Sequence, residues 1–278
     1  MTSMAADTVM FTQPSGRGTG NDVWVEITRA GLTEAGINNR YEVGTCHTSI
    51  SAWTESGNKS PALILYSSNW ARKSLRSGLP CIMQDLEQAT VYAVIRQPWW
   101  ICHNVKTSKS IHAGNVRMGF SDKIIPVSHE AFFKDVNQTN GFDWKFVPNK
   151  GSGDAFLMLA NGDVDFAFVS KNFAKNKLTG TDVRCDMSWN PNDEISYALS
   201  KFRVTNDPTD IFYFTNIVIG KNIDADLHKK LSWIYSDQNP KFQNWMRSLD
   251  ASSQPPADSK KWLNTWIQAI MQGVETVQ

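Results

Sequence analysis

Apolar positions along the chain fall into short runs separated by polar, glycine-marked or proline-marked stretches, and the runs alternate between strand and helix periods. Val9–Thr12 reads as a first strand. After the loop Gln13–Asp22, helical spacing runs through Val23, Ile27 and Leu32 and stops at Gly36. Tyr41–Val43 reads as an edge segment, and a polar helix through Thr48, Ser51 and Thr54 breaks near Gly57-Asn58. Ala62–Tyr66 is a strongly apolar strand. Thr90–Arg96 and Trp99–His103 are two strand-like runs separated by Gln97-Pro98. Val116–Phe120 opens a second set of elements, followed by a polar loop and a helix over Ser128–Val136, with Ser128 as N-cap. Further on, Ile195–Phe202 and Phe212–Ile219 are apolar runs, and Leu227–Tyr235 and Pro240–Leu249 are amphipathic helices. A last helix, Ser259–Gln272, carries Trp262, Trp266 and Ile270 on one face as a docking stripe.

The stretch Phe146–Ser170 holds the pattern most clearly. Trp144–Val147 is a short strand ended by Pro148, and Lys150-Gly151-Ser152-Gly153-Asp154 is a glycine turn leading into a helix, with Ser152 or Asp154 as N-cap. Ala155, Leu157, Met158 and Leu159 mark the helix, Asn161-Gly162 ends it, and Asp165–Val169 is a second strand. This is a βαβ unit, which requires a parallel sheet. Its loop aims backbone N–H groups at whatever lies above the strand ends, a natural place for an anion. Lys150, Gly151, Ser152 and Asp154 are therefore candidate ligand residues, with Ser170 at the end of the last strand. Ligands of open α/β sheets sit outside the carboxyl ends of strands, so Ser67, Ser68 and Asn69 form another candidate position.

Composition narrows the chemistry. A formal net charge of +1 over 278 residues speaks against general nucleic-acid binding, and no apolar run reaches the ~20 residues of a membrane span. Eleven Trp residues are enough both for core anchors and for a cleft lining. The four cysteines, Cys46, Cys81, Cys102 and Cys185, show no metal spacing; they leave room for a disulfide in an oxidising compartment without the sequence assigning a pair. The N-terminal MTSMAADT is not a complete secretory signal. Gly16 and Gly18 supply two glycines of a dinucleotide fingerprint, but Asn21 stands where the third belongs, and no phosphate-loop G-K-[ST] occurs. No G-x-S-x-G elbow, no H-E-x-x-H and no paired histidines are present, so no enzyme activity, metal or cofactor is expected.

VPNKGSGDAFLMLANGDVDFAF resembles the V-P-Y-K-G-x-x-x-A-x-x-D-L-x-x-G-x-V-D-F segment of the solute receptors of tripartite tricarboxylate transporters, the Bug (TctC-like) periplasmic binding proteins. Val147, Pro148, Lys150, Gly151, Ala155, Leu159, Gly162, Val164, Asp165 and Phe166 fit, while Asn149 replaces an aromatic and Met158 an acidic residue. The first loop resembles P-x-x-x-G-G-x-x-D through Pro14, Gly18 and Asp22, with Thr19 in place of the second glycine and Glu26 in place of an arginine. The resemblance implies a type II clamshell of two α/β lobes, each with a mainly parallel sheet. Lobe 1 would comprise residues 1–101 and 216–278, and lobe 2 residues 102–215, with the ligand cleft between them. It implies a periplasmic receptor for a small carboxylate, working with membrane transporter subunits and neither inserting into the membrane nor binding nucleic acid. Ser15, Arg17, Gly18, Thr19 and Asn21 would hold the carboxylate with Asp22 at the helix start, and Ser121, Ser128 and His129 would contribute from the second lobe. Two other readings fit the same residues: a structural or interaction protein that kept the receptor fold, and a nucleotide-binding α/β enzyme.

Overall fold

The computed structural model describes residues 8–14, 21–67, 88–111, 113–121, 134, 136–149, 151–170, 174, 178–187, 213–253 and 261. The first elements are β1 (Val9–Gln13), α1 (Asp22–Glu34), β2 (Asn39–Val43), α2 (Cys46–Gly57), β3 (Ala62–Ser67) and β4 (Ala89–Asn104). Next come β5 (Arg117–Ser121), β6 (Lys145–Asn149), α3 (Ser152–Asn161), β7 (Phe166–Ser170) and β8 (Val183–Met187). The last are β9 (Tyr213–Lys221), α4 (Ala225–Ile234), α5 (Pro240–Ser248) and β10 (Ser252–Ser253). They belong to two compact units: Met1–Arg96 with Thr215–Thr276, and Gln97–Phe214. The chain leaves the first unit inside β4 and returns to it inside β9.

In the first unit β1 pairs parallel with both β2 and β3, as connection through α1 and α2 requires. β2 is the sheet edge, β3 pairs antiparallel with β9, and β10 pairs antiparallel with Ile95 and Arg96 of β4. Both faces of this sheet are covered, and the strands split their side chains between them with period two. From β3, Leu63 and Leu65 join Val9, Phe11 and Val218 under α1 and α4; Ala62, Ile64 and Tyr66 join Ile217 and Ile219 under α2. Helix α1 buries Trp24, Val25, Ile27, Thr28 and Leu32 as one stripe. It crosses α4 so closely that a Cβ on Gly31 would lie 2.8 Å from the Ile234 side chain. On the other face Trp53 is fully buried, with the Lys221 ammonium 5.7 Å from its ring centroid. Each such buried side chain contributes about 1.5–3 kcal/mol of apolar transfer energy. Trp24 and Trp53 are thus core anchors.

In the second unit β5 lies between β6 and β7 and is parallel to both, so α3 carries the chain from β6 across β5 to β7. This is the parallel βαβ unit expected for Phe146–Ser170. β4 pairs antiparallel with β7 and β8, and Cys102 faces Cys185 across the latter pair in a disulfide. Cys46 is disulfide-bonded as well. Ala155, Phe156 and Leu159 of α3 pack on Val164, Ala167 and Val169, with Trp100 against the same cluster. Trp144 is buried and donates from Nε1 to the Ala113 carbonyl at 3.1 Å.

Two local expectations change. Gln97-Pro98 does not divide two strands: β4 runs unbroken over Ala89–Asn104. Pro98 falls between the residues paired with β10 and those paired with β7. The N-cap of α3 is Gly151, with Ser152 and Asp154 inside the first turn. The N-cap of α1 is Asn21, and Asp22 is its first helical residue. The helices expected over 128–136 and 259–272 and the run 195–202 lie outside the described residues, except that Lys134, Val136 and Lys261 are helical.

Candidate functional site

In the first unit the C-terminal ends of the parallel strands β1 and β3 meet the start of α1. Val9 and Phe11 point to the α1 face, and by alternation Gln13 points there too, replacing an apolar group with an amide. Gln13 is fully buried and both ends of its amide are occupied: Nε2 donates to Asp22 Oδ1 at 3.4 Å, and Oε1 accepts from the Tyr41 hydroxyl at 3.2 Å. Asp22 therefore helps fix the helix start to β1. On β9 the same alternation puts Asn216 on the face of Val218, opposite Ser67 in the β3 register. Asn216 is fully buried, and its Nδ2 donates to Asn21 Oδ1 at 3.1 Å.

That bond has a consequence for α1. An N-cap asparagine ordinarily turns its oxygen onto the N–H of the second or third helical residue. Asn21 makes no such side-chain cap: its backbone is already helical, with φ of −78° and ψ of −21°, and its oxygen accepts from Asn216. Helix α2 shows the ordinary arrangement, with Thr45 Oγ1 accepting from Thr48 N at 3.3 Å, and α4 likewise, with Asp224 accepting from Leu227 N at 2.8 Å. The positive end of α1 is thus left without a cap from its own N-cap side chain, at the strand ends where α/β proteins place ligands. On the α2 face of the sheet Tyr66, the residue before Ser67, has its phenol pushed up by burial.

The second unit carries a matching arrangement. Ser121, Asn149 and Ser170 end the parallel strands β5, β6 and β7, with Ser121 paired to Asn149. Asn149 is buried and its Oδ1 accepts from Gly151 N at 3.0 Å, which folds the chain into α3. Gly151 has φ of +138°, a backbone only glycine takes up readily. At the far end Gly162 is a left-handed C-cap with φ of +76°, its N–H bonded to the Leu159 carbonyl at 3.1 Å. The aspartate of the G-x-V-D-F segment is a scaffold residue. Asp165 is 1% exposed; its two oxygens accept from Lys109 N at 3.1 Å and Arg117 N at 2.8 Å, while Arg117 Nε lies 3.5 Å away.

Among the residues singled out from sequence, Asn21 and Asp22 come together at the start of α1, Gly151, Ser152 and Asp154 at the start of α3, and Ser67, Ser121 and Ser170 at strand ends. Ser15, Arg17, Gly18, Thr19, Ser68, Asn69, Ser128, His129 and Lys150 lie outside the described residues. Gln13, Tyr41 and Asn216 escaped the sequence reading. The signal that could have found two of them is a polar residue ending an apolar alternation, Gln13 after Phe11 and Asn216 before Val218. Among the described residues there is no cluster of His, Cys, Asp or Glu able to hold a metal, and no helix long and apolar enough to cross a membrane.

No protein-family model and no curated protein matches the chain in sequence. Solved structures match it over nearly its whole length. The periplasmic binding protein BugD is 16% identical with a TM-score of 0.62, over 97% of this chain and 96% of that one. MatC from Rhodopseudomonas palustris, solved with bound malate, is 14% identical with a TM-score of 0.61 over 97% of each chain. A second R. palustris protein, solved with adipate, is 16% identical with a TM-score of 0.62, over 97% of this chain and 95% of that one. The chain has the two-lobed α/β fold of the Bug and TctC periplasmic binding proteins, the fold that its sequence resemblance implies.

Proposed function

We propose that the chain is an extracytoplasmic solute receptor that captures a small carboxylate for a tripartite tricarboxylate-type transporter. The observation that carries this is the start of α1: a helix N-terminus at the ends of parallel strands, whose N-cap side chain is diverted to Asn216. Backbone N–H groups and a helix dipole suit an anion there. The resemblance extends the same role to Ser15, Arg17, Gly18 and Thr19, and the Gly151–Asp154 turn of the second unit is a second helix start of the kind that suits an anion. Malate on MatC and adipate on the second R. palustris protein support the ligand class. The Cys102–Cys185 disulfide supports an oxidising compartment such as the periplasm.

Calorimetric titration of the purified protein with mono-, di- and tricarboxylates tests the proposal. Saturable one-to-one binding of a carboxylate is expected. Binding of a nucleotide in place of any carboxylate would replace a receptor with a nucleotide-binding protein. A folded chain that binds no member of either panel would be a receptor fold retained without a solute.

A further inference from the structure

We infer that Asn216 reads the ligand's substituent: its Oδ1 accepts a hydrogen bond from a hydroxyl or ammonium group borne by a carboxylate seated at the start of α1. Asn216 can play this part only if the chain is a carboxylate receptor, as proposed above. Its side chain is fully buried, and Oδ1 has no hydrogen-bond partner. A buried acceptor left unmatched carries an uncompensated loss of hydration, and such atoms in folded proteins call for an explanation. Turning this amide over alone does not relieve it, because its Nδ2 is already held by Asn21 Oδ1 at 3.1 Å and the turn would set oxygen against oxygen. The neighbouring amide cannot share the work, since Gln13 is engaged at both ends by Asp22 and Tyr41. Asn216 is thus an uncommitted acceptor fixed beside the helix end that suits an anion. A ligand with only carboxylate oxygens would bring acceptors to an acceptor. One with a hydroxyl or ammonium next to its carboxylate would bring the missing donor.

The test compares carbon skeletons of equal length and charge on the carboxylates: succinate, malate and aspartate, then glutarate, 2-hydroxyglutarate and glutamate. Each is titrated calorimetrically into the intact protein and into two variants. Asn216→Leu removes every polar atom at similar size, and Asn216→Asp keeps the acceptor oxygen while losing the donor to Asn21. For the wild type, a substituted member of at least one series is expected to bind about tenfold tighter than its unsubstituted parent. The Asn216→Leu variant should lose that preference while still binding the parent, and Asn216→Asp should keep it. A thermal melt of each variant establishes that it is folded, and the wild-type comparison stands even if Asn216→Leu does not fold. Equal affinity across a series, or tighter binding of the unsubstituted parent, overturns the role of Asn216 and leaves the receptor proposal standing. Absence of binding in both series overturns the role of Asn216 together with the ligand class.

Discussion

Replacing Asp165 by Asn should destabilise the second unit severely while barely changing the size of the side chain. The two backbone donors at this site use different oxygens: Lys109 N meets Oδ1 and Arg117 N meets Oδ2. An asparagine has one acceptor oxygen, so one of these N–H groups would be left facing an NH₂. Hydrogen bonds to a charged acceptor are worth about 1.5–3 kcal/mol, and a buried donor left unmatched costs about 1–3 kcal/mol. The Arg117 guanidinium adds little, because its side chain is 42% exposed and water screens it. Together these terms span about 2.5–6 kcal/mol, and removing one partner from a buried ionic contact gives a loss of about 3–5 kcal/mol within that span. For a chain of this size that lowers the thermal midpoint by roughly 6–20 °C. Urea unfolding followed by near-ultraviolet circular dichroism measures the loss. Hydrogen exchange should localise it to the Lys109 and Arg117 amides and to β5 and β7. A variant that unfolds within about 0.5 kcal/mol of the wild type, the ordinary range of a harmless surface change, would refute the scaffold role.

Three further outcomes follow from the same structure. Replacing Cys102 and Cys185 together by Ala opens a link spanning 83 residues, which should cost about 4.5 kcal/mol by loop entropy; a urea midpoint unchanged under oxidising conditions would contradict this. Gly151→Ala forces a Cβ onto a backbone with φ of +138°, and although no atom lies within 4 Å of that Cβ, strain of about 1–3 kcal/mol is expected; a neutral melt would show that the turn relaxes freely. Burial raises the phenols of Tyr66, Tyr92 and Tyr235, with Asp224 adding to the rise at Tyr92 and a Thr28 hydrogen bond partly opposing it at Tyr235. Unfolded tyrosines release protons near pH 10, so above that pH the folded chain holds more protons than the unfolded one. Stability contributed by these groups is complete below about pH 10 and falls as pH rises further. Absorbance at ~295 nm should then show these three ionising only as the protein unfolds, and their early ionisation in folded protein would contradict it.

Much of this architecture is legible in the sequence where periodicity is local. Ala62–Tyr66 declares a strand by its own composition, and the order Val147-Pro148, Gly151, Leu159, Gly162, Phe166 dictates strand, turn, helix and strand in turn. What sequence spacing cannot show is which distant group completes a polar side chain. Asn216 and Asn21 stand 195 residues apart, and their contact directs the Asn21 side chain to β9. Asp165 reads from sequence only as the first residue of a strand, and its role appears when Lys109 and Arg117 are seen converging on it. Pro98 looks like a break because proline lacks a ladder donor, yet β4 runs through it and changes partners beside it, from β10 to β7. The glycine turn before α3 stands where the sequence puts it, but neither Ser152 nor Asp154 is the cap: Asn149 bends the backbone back on itself and Gly151 is the N-cap.

The most direct test of the central claim is to identify what the protein carries. Purified protein, expressed with export to an oxidising compartment and then denatured, should release a small carboxylate detectable by mass spectrometry, at up to one equivalent per chain. Added back in excess, that molecule should raise the thermal midpoint of refolded protein by mass action. Release of a nucleotide or of an uncharged solute at one equivalent, with the same stabilisation on adding it back, would contradict a carboxylate receptor.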